Sequence, residues 1–226
     1  IVDAMVAAHA ARVRATIGYG VTTQDVLTRN RRHEGGPTDP QLGVIRVDDS
    51  DGGAIAIVAN MAAHPTTVGE EYAFAISADF PGYFYTAMES MATEGCVAMF
   101  LNGAEGNQQC GNPESAEGWA HTESIGRLLA VRAKGLANNI TGQEVQIALN
   151  YSMPTLPRTL AEGILPESTF LQVLEIDDLV LTFFPGEPCV ELGLELRQRA
   201  LRHGYRAQFS VSLANDHLMY FVPPQF

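Results

Sequence analysis

The densest run of apolar positions in the chain is Ala54 to Thr67, Ala-Ile-Ala-Ile-Val-Ala-Asn-Met-Ala-Ala-His-Pro-Thr-Thr. Small and branched apolar residues in near-unbroken sequence predict a strand buried on both faces. The run stops at His64, because Pro65 cannot continue a central strand. Three other apolar runs stop at polar tips in the same way. Val97–Leu101 leads into Asn102-Gly103-Ala104-Glu105-Gly106-Asn107, Leu179–Phe184 into Pro185-Gly186-Glu187, and Phe209–Leu213 into Ala214-Asn215-Asp216. Ligands of open α/β sheets bind beyond the carboxyl ends of the strands. Four neighbouring parallel strands in one sheet would bring these tips to one site.

The remaining pattern fills in the elements. Apolar residues at Ile1, Met5, Ala8 and Val13 predict a helix over Ile1–Arg14, followed by a short strand over Tyr19–Val26 and a loop over Arg29–Pro40. Gly43–Asp48, the turn Asp51-Gly52-Gly53 and the Ala54 run form an antiparallel hairpin, so the sheet is mixed. Asp79 is placed to N-cap a helix with Pro81 in its first turn and Phe80, Phe84, Met88 and Met91 on its inner face. A second amphipathic helix spans Thr122–Ala137, with Ile125, Leu128, Leu129 and Leu136 inward. Glu144–Met153 alternates like a strand with one wet face, and Leu171–Asp177 and Leu179–Phe184 form a second hairpin. Pro188 falls in the first turn of a helix over Cys189–Leu201. The expected fold is α/β, a mixed β-sheet core flanked by helices in a single domain over residues 1–226. With no initiator methionine before Ile1-Val2-Asp3-Ala4, that domain is expected to be incomplete at its N-terminus, and the featureless connection at 160–166 to conceal an omitted segment.

Composition narrows the partners. A net charge of −12 argues against nucleic acid, whose binding rests on phosphate neutralisation. No run approaches the roughly 18 apolar residues of a transmembrane segment. Cys96, Cys110 and Cys189 are odd in number and lack metal-type spacing. Among titratable groups, Glu187 stands in Pro185-Gly186-Glu187-Pro188, where a first-turn glutamate favoured by the helix dipole is the plain explanation. Its pairing with His64, a second strand-end ligand type, favours a metal, and imidazole with carboxylate suits zinc. His217 lies near the tips, whereas His9, His33, His121 and His203 are expected on helix or loop surfaces. A Gly-x-Ser-x-Gly elbow is missing, and Gly103–Asn107 lacks the lysine of a phosphate loop.

The ordered set Ala-His64-Pro-Thr, Ile76-Ser77-Ala78-Asp79-Phe80-Pro81-Gly82-Tyr83, Asn102–Asn107, Phe184-Pro185-Gly186-Glu187 and Leu213-Ala214-Asn215-Asp216-x-x-x-Tyr220 resembles the neutral/alkaline (non-lysosomal) ceramidase family. Asn30-Arg31-Arg32 with Asp39-Pro40-x-x-Gly43-Val44 resembles the same family's upstream segment. The resemblance implies a zinc-dependent amidohydrolase with His64, Glu187 and Tyr220 at the metal, a further histidine lying upstream of Ile1. It implies an extracellular or periplasmic setting, while a cytoplasmic one stays open. Catalytic roles are then expected for Tyr220 and Asn107 at the oxyanion and for Arg31 on a substrate carbonyl or carboxylate, with Asn30, Asn102 and Gln109 lining the substrate.

One departure bears on the substrate. The run Gly106-Asn107-Gln108-Gln109-Cys110-Gly111 puts Gln109 where the family's Gly-Asp-Val-Ser-Pro-Asn motif has its serine. Glutamine is no nucleophile, so hydrolysis would rest on metal-activated water acting on a small-molecule amide or ester other than ceramide. Two alternatives stay open: a ceramidase-like binding or scaffold protein that has lost the metal, and a metal-free hydrolase using Glu105 or Cys110.

Overall fold

The protein is described here by a computed structural model covering residues 2–69, 72, 74–112, 118–155 and 166–224. The connection at 160–165, where an omitted segment is expected, lies outside them.

The Ala54 run forms β4 (Ala54–Met61), and its neighbours follow from the hairpin. β3 (Gln41–Asp49) pairs antiparallel with β4 and with β1 (Ala15–Thr23). β5 (Val97–Asn102) pairs parallel to β4, giving a mixed four-stranded sheet in the order β1-β3-β4-β5. Val97 and Met99 are exposed, so β5 is an edge strand rather than a fully buried one.

The other two tip-bearing strands lie in a second sheet. β9 (Leu179–Phe183) and β11 (Ala207–Val211) run parallel, with β8 (Leu171–Ile176) and β7 (Ile147–Ser152) added antiparallel, in the order β11-β9-β8-β7. The expectation of one rim on one sheet is therefore corrected to two rims on two sheets. Ile45 and Val58 of the first sheet pack with Leu179, Leu181, Phe209 and Val211 of the second, so the sheets share a core. β4 divides its residues between two cores: Val58 joins Phe209 between the sheets, while Ile57, Ala59 and Met61 join the helix residues on the other face. Asn60 stitches the sheets where they meet, its Nδ2 donating to the Leu101 and Ser210 carbonyls at 2.9 and 2.8 Å. Gly43 is required there, since a Cβ would lie 2.4 Å from the Phe209 ring.

The helices cover the outer faces. α1 (Val2–Ala10) buries no residue. α2 (Asp79–Met91) buries Phe80, Phe84 and Met88 at four-residue spacing, each worth about 1.5–3 kcal/mol by burial, while Met91 stays exposed. α3 (Gly118–Ala137) crosses α2 at Gly126, where a Cβ would sit 2.5 Å from the Phe80 carbonyl oxygen. α4 (Val190–Arg202) packs beside β11 and is tied by Arg197, whose Nη1 donates to Asp39 Oδ1 at 2.8 Å. β7 departs from expectation: all six residues are exposed, so neither face of this edge strand is covered among the described residues. No described helix is long and apolar enough to cross a membrane.

Candidate metal centre

Two short pairings position the polar tips. β2 (Thr28–Asn30) pairs antiparallel with β6 (Gln108–Cys110), drawing the Arg29–Pro40 loop to the Asn102–Asn107 loop. His64 joins β6 by an isolated parallel bridge to Gln109. Glu187 is not in a helical turn, as Pro188 had suggested. It forms β10 (Glu187–Pro188), which pairs parallel with β12 (Tyr220–Phe221), and the helix starts only at Val190, after Cys189 as N-cap. Gly186 makes this possible, because a Cβ there would lie 2.4 Å from the Met219 carbonyl oxygen.

The result brings His64, Glu187, Tyr220 and Arg31 together. His64 Nε2 stands 2.7 Å from Glu187 Oε2, with both side chains 12% exposed. His64 Nδ1 faces the Gln108 carbonyl at 2.9 Å. That carbonyl only accepts, so Nδ1 donates to it, and Nε2 is the ring nitrogen turned to Glu187 and the one a cation would take, the usual orienting contact of a metal-bound imidazole. Arg31 Nη2 donates to the Gly106 carbonyl and to Tyr220 Oη, each at 3.0 Å, and lies 3.2 Å from His64 Nε2. The His64 and Tyr220 rings stack with centroids 6.4 Å apart. His217, held as a candidate, reaches Glu187 Oε1 only at 3.5 Å and is largely exposed.

Burial by itself would raise the Glu187 carboxyl. Hydrogen bonds from His64 and Tyr220, the attraction of His64 and a contact from His217 outweigh it, and the group lies below its usual range. Glu105 is the opposite case. It is fully buried and pushed up to about 8, chiefly by desolvation, with repulsion from Glu187 adding to it and the Ser212 hydrogen bond opposing it. Oε2 of Glu105 is bonded by Ser212 Oγ, whereas Oε1 has no partner. Ligand atoms of His64, Glu105 and Glu187 all lie within 4.8 Å of one another. One oriented imidazole nitrogen, two carboxylates and an unpartnered buried oxygen fit a divalent cation, and the nitrogen–oxygen set fits zinc.

Several residues expected at the substrate are engaged elsewhere. Asn107 is buried; its Oδ1 accepts from the Val190 N–H at 2.8 Å and its Nδ2 donates to Glu191 at 2.9 Å, so its amide holds the start of α4 and has no donor left for an oxyanion. Asn102 Oδ1 accepts from the Ala63 N–H at 3.3 Å. Asn30 Oδ1 accepts from the Arg32 and His33 N–H groups at 2.9 and 3.0 Å while its Nδ2 donates to the Pro37 carbonyl at 2.9 Å, which shapes the loop that presents Arg31. Gln109, with its amide oxygen toward Arg29, accepts from Arg29 Nε at 2.8 Å across the β2–β6 pair. Cys110 is buried in the apolar core, and burial raises its thiol pKa, an environment opposed to a reactive thiolate. His121 is half-buried on α3 rather than solvent-facing, and burial lowers its pKa.

Asp79 does not act as an N-cap. It is the first residue of α2, at φ +51°, with Ala78 as the N-cap and no side-chain cap bond from it. Its buried carboxylate accepts from the Thr67 N–H at 2.8 Å, from Thr67 Oγ1 at 2.6 Å and from the Phe80 N–H at 2.8 Å. Asp79 thus ties α2 to the segment that follows His64. The sequence brought the Asn102–Asn107 loop to the site and offered Glu105 only as the carboxylate of a metal-free hydrolase; its place within reach of a shared cation with His64 and Glu187 came from the structure.

No family model and no curated protein matches the chain. Among solved structures, the fold is similar to that of a neutral ceramidase from Pseudomonas aeruginosa, with TM-score 0.80, 19% identity, and 98% of this chain and 49% of that chain covered. It is also similar to a ceramidase complexed with C2, with TM-score 0.78, 17% identity, and 95% and 49% covered. The chain therefore spans about half the length of these relatives and shares their α/β fold.

Proposed function

We propose that this chain carries the metal-binding half of a zinc-dependent hydrolase acting on an amide or ester bond of a small molecule. The observation that carries this is the convergence of His64 Nε2 and the Glu187 carboxylate, 2.7 Å apart, with the imidazole oriented from behind by the Gln108 carbonyl. The likeness of fold to neutral ceramidases supports the same reading. Zinc would be held by His64 and Glu187, with Tyr220 beside them. When bound, it supplies a Lewis acid that polarises a scissile carbonyl and lowers the pKa of water.

The chain's own groups do the rest. Glu187, held below the usual carboxylate range, stays anionic throughout the neutral region. Arg31 holds the Tyr220 hydroxyl by donating to its oxygen at 3.0 Å, and the phenolic hydrogen, given to Glu187 in this structure, would be released toward a substrate once a cation takes that carboxylate. A donor held at that place can stabilise negative charge on an acyl oxygen. The Arg31 guanidinium adds positive potential on the same side.

Gln109 lies against Arg29 and provides no hydroxyl, so ceramide is not the favoured substrate; short polar N-acyl amides are. The test is hydrolysis of a panel of short N-acyl amides and esters beside a fluorescent ceramide, using the full-length protein with zinc. Chelator-sensitive turnover of the short amides is expected. Turnover that survives chelation would end the metal reading.

A further inference from the structure

Glu105 is the one group of the cluster that this reading leaves without a task. It is 0% exposed, on the turn between β5 and β6, and its Oε1 has no hydrogen-bond partner. A buried carboxylate oxygen without a partner is costly whether the group is ionised or neutral, and such groups are ordinarily paired or bound to a cation. The Ser212 hydroxyl satisfies only Oε2. Arg31 Nη2 is already engaged by Gly106 and Tyr220.

The backbone fixes Glu105 in this place. The Gly106 N–H donates to the Pro188 carbonyl at 2.9 Å, and a Cβ at Gly106 would lie 2.8 Å from the Glu187 carbonyl oxygen. The turn is thereby pressed against β10, and Glu105 is carried to the same point as Glu187. The Gln108 N–H donates to the Glu105 carbonyl at 2.6 Å, so the residue that orients His64 also holds Glu105.

Resting on the metal reading above, we propose that Glu105 is itself a metal ligand, through Oε1, and that His64, Glu105 and Glu187 form a three-point anchor supplied entirely by this chain. Three protein ligands leave a position open, as catalytic zinc requires. Two carboxylates also neutralise a divalent cation in a site largely walled from water.

The test is zinc affinity of the full-length protein, measured by competition with a chromophoric chelator, with the ligand shell of bound zinc read by X-ray absorption. Glu105→Gln keeps the shape and the Ser212 contact, so the metal-free melting temperature should be little changed. Its zinc affinity should fall roughly tenfold or more, and its absorption spectrum should lose one oxygen ligand. Ser212→Ala, which frees Oε2 without touching Oε1, should weaken zinc by a smaller factor. If Glu105→Gln binds zinc as tightly as wild type while Glu187→Gln and His64→Ala do not, Glu105 is no ligand and the metal reading stands. If the wild-type protein binds no zinc, both fall.

Discussion

Glu187 and Tyr220 are register partners in a two-residue parallel sheet, locked by the Glu187 N–H donating to the Met219 carbonyl and the Cys189 N–H to the Phe221 carbonyl, each at 2.9 Å. Thirty-three positions separate them in sequence, yet the main chain sets them side by side. Gly186 permits the approach, its absent Cβ leaving 2.4 Å to the Met219 oxygen. Gly186→Ala must push the two strands apart, because the obstructing atom is backbone. Loss of activity should exceed loss of stability, and comparing kcat with thermal melting checks this.

Tyr220→Phe removes the hydroxyl that Arg31 fixes. A fall in kcat of about 10²–10³-fold with little change in KM is expected, the size of one lost oxyanion donor. Steady-state kinetics on the best short amide decides it; an unchanged kcat would remove Tyr220 from the reaction.

Zinc should stabilise the folded chain. At a free concentration of one hundred times its Kd the gain is about 2.7 kcal/mol, visible as a rise in melting temperature that a chelator reverses. His64→Ala should abolish that rise. A zinc-induced rise that persists in His64→Ala would place the metal elsewhere.

Asp79 accepts three hydrogen bonds, two of them from Thr67. Asp79→Ala leaves those donors unpaired and should cost roughly 3 kcal/mol, read by urea unfolding. Asp79→Asn tolerates the left-handed backbone at φ +51° but must turn a donor toward Thr67, so it should recover only part of the loss. Weakened zinc binding in a folded Asp79→Asn would show that this clasp also positions His64.

Tyr19 Oη donates to Asp178 Oδ1 at 2.5 Å and ties β1 of the first sheet to the β8–β9 turn of the second. Burial first, then the Asp178 hydrogen bond and charge, raise the Tyr19 pKa well above its ordinary value. A group whose folded pKa is raised contributes stability that is fully present below its unfolded pKa, near 10, and is lost as pH climbs above it. The protein should therefore lose stability above about pH 10. Tyr19→Phe should flatten that limb and cost about 1.5–3 kcal/mol at pH 7, the range for a hydrogen bond to a charged group. Denaturant melts at pH 7 and 10.5 separate the two effects.

The sequence by itself determined the long strands from β3 to β5 and from β7 to β9, the two hairpins, most of the α2 and α3 faces and the strand-end positions of His64, Glu105 and Glu187. Those features follow from local periodicity and from where proline and glycine interrupt it. The sequence placed the first strand at Tyr19–Val26 instead of Ala15–Thr23 and showed no sign of β2, β6, β10 or β12. The ceramidase-like fold was legible as a resemblance, carried by short motifs in a fixed order rather than by periodicity. Only the tertiary structure decided that the tips come from two sheets sharing one core, because a strand buried on both faces reads the same against helices as against another sheet. It also decided that Glu187 lies in a strand beside Tyr220, since a two-residue pairing has no periodicity to read. The partners of Asn107, Asn102, Asn30 and Gln109 also came from the fold: an amide's composition says that it must bond, and the fold says to what. Glu105 falls beside His64 and Glu187 for the same reason. A carboxylate's burial, its neighbours and its unpartnered oxygen are properties of the packed molecule, and no residue spacing encodes them.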